Sequence, residues 1–377
     1  MHYPFFIFRN QLGESYWKNR NVDAAANCFT GAINKSRNKV SLRSLSMVQR
    51  QQGKDYDEKV DNIRLSVETA KQAVALDVSD GVSWFVLGNA FLSCFFFAGQ
   101  NPAQLKQCMS AYSRAEQDRA SVNNPDLHYN RAVAFKYQED YPKAIAGYHR
   151  AKLLDPSWAE PEEERKGLVR RLRMCNTAVQ NKGSLKPKKL KNLLSQIKES
   201  DLGPFLGGTY TSPLNKQITL KCALIKDLHA DRNDNVVIHG KVIAVIPVKD
   251  GVPFQFVLID STGRCVAVSV FNLAVGKGMI VGDSVAIPEP FVQEHEVIVE
   301  GKAAKEDTKE MKEEAETETT SEDGSTKEEK EEEKTNEEVI KFQSIRVDNP
   351  VVLVINKRKV GLERLSFSVL SVTNKSE

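Results

Sequence analysis

Between residues 11 and 33 the chain reads "QLGESYWKNRNVDAAANCFTGAI", in which Leu12, Gly13 and Tyr16 are followed, past "RNVD", by Ala25, Phe29 and Ala32. The intervals return as Trp84, Leu87, Gly88 and Phe91 ahead of Cys108, Tyr112 and Ala115, with extra residues around "FAGQNP". They return again as Ala132 and Phe135 ahead of Ala144, Tyr148 and Ala151, and Pro156 follows where a helix should stop. A large ring set against glycine or alanine one helix away is what two neighbouring helices need in order to pack closely. Its recurrence means that each pair buries its remaining face on the next pair.

This is the tetratricopeptide pattern. Residues 40–80 hold two further helical stretches, "VSLRSLSMVQRQ" and "VDNIRLSVETAKQAVALDV", which suit a degenerate pair and bring the expected number to four. The rings and alanines are read as packing. Function belongs to the polar residues of the concave face, which the first helix of each pair lines and which suits an extended peptide. The opening "MHYPFFIFRN" is broken by Pro4 and ended by Arg9, has no small-residue cleavage site, and reads as an irregular helix start rather than a signal peptide. A solenoid opening there has no capping repeat, so the front of the chain is expected to be truncated.

The 377 residues leave room for more than one domain, and the net charge of +3 hides a segregation. Residues 302–338 carry 7 Lys against 16 Asp plus Glu, or −9, which leaves +12 on the rest. The six cysteines stand without a CxxC pair or a histidine at zinc-ligand spacing, which argues against a metal knuckle or a secreted disulfide framework and for cytosol or nucleus. The run "FLSCFFFA" falls short of the ~20 apolar residues of a membrane helix, so no membrane partner is expected. No phosphate loop, nucleophile elbow, HExxH or paired-histidine spacing is present. The chain reads as a non-enzyme with no cofactor.

After "LDPSWAEPEEERKGLVRRLR", which reads as a capping helix, residues 165–198 hold eleven Lys or Arg, including "LKPKKLK". Their Pro and Gly suggest a basic linker, either simply solvated or docking on RNA phosphate. Beyond Gly203 the periodicity alternates in "NVVIHGKVIAVIPV", "FQFVLIDS", "CVAVSVFNL", "DSVAIPEPFVQ" and "VIKFQSIRV", flanked by "QITLKCALI" and "PVVLVIN". Short strands with Gly at an expected bulge or bend in "IHGKV" suit a small five-stranded barrel of the oligonucleotide/oligosaccharide-binding (OB) kind. Its few aromatics, Phe254, Phe256, Phe271, Phe291 and Phe342, mostly alternate inward, so a protein-interaction barrel is as good a reading as a single-strand binder. The acidic tract has almost no aliphatic residues and is expected to be disordered. The fold class is therefore multidomain, α then β: a tetratricopeptide α-solenoid followed by an OB-fold barrel. The expected parts are an atypical start 1–10, repeats 11–160, capping helix and basic linker 161–203, barrel 204–301, acidic insertion 302–338, and last strands and tail 339–377.

With this order of parts, "GESYWK", "RNKVSL", "LSMV", "DGVSW", "LGNAFLS", "NPDLH", "LDPSWAEP", "VPFQF", "LIDSTGRC" and "GDSVAIPEP" make the chain resemble the tetratricopeptide repeat protein 5 family. The resemblance implies a non-enzymatic adaptor that binds the amino-terminal Met-Arg-Glu of nascent α- and β-tubulin near the ribosomal exit tunnel and triggers decay of tubulin mRNA through a decay adaptor and deadenylase complex. It places Arg50 against the peptide's Glu, Asp126 and Glu160 against its Arg and amino end, and Lys186 and Lys188 on rRNA phosphate. For each, a helix-end or surface charge is the plainer reading, with Asp126 as an N-cap after Pro125 and Glu160 in the first turn of the capping helix. The alternative role is a nuclear stress-responsive coactivator scaffold, joining a histone acetyltransferase, an arginine methyltransferase and chromatin to the tumour-suppressor transcription factor. Cytoplasm and nucleus are both implied. The chain departs from the family in its acidic insertion, in Ser184 where a further Lys is usual, and in lacking repeats ahead of Gln11.

Overall fold

The computed structural model describes residues 5–211, 216–249, 251–299 and 337–366. They divide into two compact units, 5–165 and 166–366.

In the first unit α1 (Phe5–Lys18) packs on α2 (Val22–Lys35), α3 (Lys39–Gln49) on α4 (Tyr56–Leu76), α5 (Gly81–Phe97) on α6 (Pro102–Ala115), and α7 (Pro125–Tyr137) on α8 (Tyr141–Leu154). The degenerate segment is thus a full pair. Each helix from α2 to α8 opens on Asn or Asp (Asn21, Asn38, Asp55, Asp80, Asn101, Asn124, Asp140), whose side-chain oxygen accepts a backbone N–H of the first turn. These caps explain why short helices start where they do. The pairs close through the small residues picked out by the spacing. A Cβ at Gly13 would lie 2.7 Å from the Phe29 ring, and one at Gly88 would lie 2.5 Å from the Tyr112 ring. In the last pair the roles exchange, and Gly147 of α8 meets Ala132 of α7. Phe29, Tyr112 and Tyr148 are fully buried as a result.

The division into units falls within α9 (Glu160–Gln180). In the second unit residues 187–195 are not a linker: they form α10 (Pro187–Ser195), and this corrects the sequence reading. Pro187 sits in the first turn, where its missing N–H costs nothing and its fixed φ suits a helix start, and Leu193 is buried.

The strands β1 (Val236–Ile246), β2 (Phe254–Ile259) and β3 (Cys265–Val270) form a meander. β4 (Ser284–Pro288) pairs with β1, and the chain bends at Glu289 and Pro290 into β5 (Phe291–Val299), which pairs with β6 (Glu338–Val347). β6 lies parallel to β3, so the continuous bend from β4 to β5 closes a five-stranded barrel. Ile238, Val242, Phe256, Leu258, Val266, Val268 and Ile345 fill it, alternating along their strands. The register shift of β1 lies between Val242 and Ala244, not at Gly240 as "IHGKV" suggested. Gly240 is required for another reason: a Cβ there would collide with the Ile259 carbonyl. The segment "PVVLVIN" is only partly a strand, with a 3-10 turn at Pro350–Val352 ahead of the short strand Val354–Ile355.

The reading of the acidic tract as disordered falls almost wholly outside the described residues; β6 starts at its last residue, Glu338. Among the described residues no helix is long and apolar enough to cross a membrane, and no group of His, Cys, Asp and Glu could hold a metal ion.

Candidate functional site

Arg50, Asp126 and Glu160 all fall in the first unit, and buried polar contacts join several of the helices that carry them. Arg50 is the C-cap residue of α3 and is 9% exposed. Its guanidinium acts electrostatically on Tyr112 of α6, whose phenol burial pushes well above its ordinary pKa, so the hydroxyl stays protonated. Tyr112 donates to Asn89 Oδ1 of α5 at 2.6 Å, and Asn130 Nδ2 of α7 donates to the same oxygen at 3.2 Å.

Asp126 is fully buried one turn before Asn130, four residues earlier and therefore on the same face of α7. It is not the N-cap. Asn124 holds that position and accepts from the Asp126 backbone N–H at 2.9 Å. The face continues through Tyr129, whose hydroxyl donates to Glu160 Oε1 at 2.9 Å, while Trp158 Nε1 donates to Oε2 at 3.3 Å. Tyr129 stacks against Trp158 with ring centroids 4.7 Å apart. Glu160 does open α9, as a first-turn acid should, but its two oxygens are oriented by neighbouring rings.

One end of this ladder therefore carries a guanidinium and the other two carboxylates, joined by fully buried Asn89 and Asn130. In such partly desolvated surroundings a charged group with fixed donors or acceptors makes stronger, shorter bonds than on an open surface. The arrangement suits a short peptide end bearing both signs of charge. Sequence reasoning missed Asn89, Tyr129 and Asn130. Their signal was the polar i, i+3, i+4 set Asp126, Tyr129 and Asn130 alongside the apolar packing positions.

Lys186 and Lys188 lie in the second unit, both exposed, at the start of α10. Lys186 is the N-cap residue with no side-chain capping bond, and Lys188 and Lys189 follow Pro187. Cations here oppose the helix dipole, so the first turn presents positive side chains together with uncapped N–H groups, a combination suited to phosphate.

The outer face of β2 and β3, where barrels of this kind bind single strands, is occupied from within the chain. Gln255 is 2% exposed and donates to Ser269 Oγ at 2.9 Å. Cys175, on the part of α9 that belongs to this unit, donates its S–H to Gln255 Oε1 at 3.6 Å, and Leu168, Val169 and Leu172 are buried on the same stretch. Arg173 pairs with Glu338 of β6 at 2.7 Å. Of the two readings of the barrel, this geometry favours the protein scaffold over the strand reader.

A family model described as the tetratricopeptide repeat protein 5 OB fold domain matches residues 219–312. Tetratricopeptide repeat protein 5 of Homo sapiens is 40% identical over 354 residues, covering 93% of this chain and 72% of that protein. Its counterpart in Mus musculus is 44% identical over 295 residues, covering 78% and 67%. Among solved structures, a thermophilic tetratricopeptide protein of Thermus thermophilus covers 54% of this chain and 97% of its own, at 19% identity and a TM-score of 0.38.

Proposed function

The chain belongs to the tetratricopeptide repeat protein 5 family, and from that premise we propose that it reads the amino-terminal Met-Arg-Glu of nascent tubulin at the ribosome and so triggers decay of tubulin mRNA. At the coarser level it is a tetratricopeptide-type adaptor, built to hold a partner. The observation that carries the finer reading is the buried polar set of Tyr112, Asn89 and Asn130, with Arg50 acting electrostatically on Tyr112 at one end and Tyr129 bonded to Glu160 at the other. Asp126 and Glu160 suit a peptide's Arg and ammonium, and Arg50 suits its Glu. Lys186 and Lys188 supply the sequence-independent hold on rRNA phosphate, which orients without selecting.

The two contacts separate in a sedimentation experiment with stalled ribosomes displaying a tubulin amino terminus. The intact chain co-sediments. Lys186→Glu with Lys188→Glu abolishes co-sedimentation while free peptide still binds. Arg50→Ala abolishes discrimination between a tubulin and an unrelated nascent chain. If the double reversal leaves ribosome association unchanged, the assignment of α10 is wrong.

A further inference from the structure

The last repeat departs from the one before it in a way that the peptide-reading ladder does not use. Where α5 carries Trp84, Leu87, Gly88 and Phe91, α7 carries His128, Arg131, Ala132 and Phe135 at the same intervals. Two large apolar packing residues have become an imidazole and a guanidinium. A cleft of ≈ 390 Å³ lies there, lined by α7, α8 and the turn ahead of α7. At 3.6 residues per turn, His128, Arg131, Ala132 and Phe135 centre on the side of α7 opposite Asp126, Tyr129 and Asn130, so the cleft and the ladder are separate surfaces.

Its chemistry is specific. His128 Nε2–H donates to the Val122 carbonyl at 2.7 Å, and burial holds the imidazole below its ordinary pKa, so it contributes a wall and little charge near neutrality. Arg131 pairs with Glu116 and lies 5.4 Å from the Phe135 ring centroid. Lys143 Nζ is also 5.4 Å from that centroid and pairs with the partly exposed Asp140. Arg150 stands exposed at the rim, and among the described residues its hydrogen bond is a 3.5 Å contact with Asn123 Oδ1. Gly147 lets the two helices approach and keeps the floor narrow. Arg131, Lys143 and Arg150 thus surround an apolar floor, the first two already paired with Glu116 and Asp140.

We propose that this cleft is a second docking site, for an acidic segment of a partner protein in which an Asp or Glu stands beside an apolar residue. The carboxylate meets Lys143 and Arg150, and the apolar side chain lies against Phe135 and Ala132. Inorganic phosphate would leave that floor unused, whereas a cleft of this volume matches one or two side chains.

The test is fluorescence anisotropy of the full chain with a labelled peptide of alternating Glu and Leu, beside its Gln and Leu counterpart. The proposal expects saturable binding of the Glu peptide only, weakened at least about tenfold by Lys143→Glu with Arg150→Glu and unchanged by Lys186→Glu with Lys188→Glu. Arg131→Leu removes one cation and leaves Glu116 without its partner beside the cleft, so it should weaken binding of the Glu peptide. The proposal is overturned if no binding occurs, if binding survives the Lys143 and Arg150 reversal, if it is lost with the Lys186 and Lys188 reversal, or if phosphate at matched ionic strength displaces the peptide.

Discussion

Single residues tie helix ends together, within a repeat and between adjacent ones, through helix-end charges. Lys39, at the start of α3, reaches Asp77 at the end of α4 at 2.7 Å, and Arg43 reaches the α5 cap Asp80 at 2.9 Å. The Lys39 hydrogen bond, with help from Ser79, lowers the Asp77 carboxyl from 3.8 to about 2. Because the folded value is the lower one, this contribution is fully present above the unfolded value near 3.8 and is lost as pH falls through about 2. Acid titration of the helical circular dichroism should therefore show a loss of stability between those values that Asp77→Asn makes smaller. At Gly88 two effects oppose each other. Alanine favours the helix by about 1 kcal/mol, while the new Cβ, 2.5 Å from the Tyr112 ring, overpacks at a cost of about 1–3 kcal/mol. Gly88→Ala should thus destabilise by up to about 2 kcal/mol in urea unfolding, and a stabilised variant would show that α5 and α6 can move apart.

At the scale of elements, the two proposed sites lie on opposite faces of α7, and the first is checked through Tyr129. Tyr129→Phe keeps the stacking on Trp158 and removes one donor from Glu160. It should cost about 1 kcal/mol of stability and weaken tubulin-peptide binding more than it weakens the fold. The repeats were legible because the distance between packed helices permits few residue pairs, so Gly13 with Phe29 and Gly88 with Tyr112 had to appear at fixed intervals. The buried Asn89 was not, because a polar residue is worth burying only beside a partner, and its partners Tyr112 and Asn130 lie 23 and 41 positions away. α10 was misread because the Pro and Gly of this segment were weighed as breakers, although Pro187 is a starter and Leu193 supplies the buried contact. Asp126 was singled out by resemblance alone; only the structure shows that Asn124 does the capping.

For the molecule as a whole, the barrel closes on strands whose pairing is complete at the point where the acidic tract leaves it. β5 and β6 stay in register to Val299 opposite Glu338. Replacing 302–336 with a short Asn-Gly turn should leave the thermal unfolding of the barrel close to unchanged, and a large drop would mean that the tract takes part in the fold. Leu258→Ala, inside the barrel, should by contrast cost about 2–5 kcal/mol in chemical denaturation. The alternation of strands and the helical spacing set the α-then-β order in advance. The covering of β2 and β3 by Cys175 and its neighbours on α9 was hidden, because it joins residues 80 positions apart.

The central claim is that the ladder from Arg50 to Glu160 reads a peptide end. Its most direct test is fluorescence anisotropy with a labelled Met-Arg-Glu tubulin peptide, comparing the chain with Arg50→Ala and with a peptide whose Glu is reversed to Lys. A groove that reads this peptide end gives saturable binding by the chain and its loss in both comparisons. Binding that persists in Arg50→Ala, or a folded chain that binds the reversed peptide equally well, would contradict it.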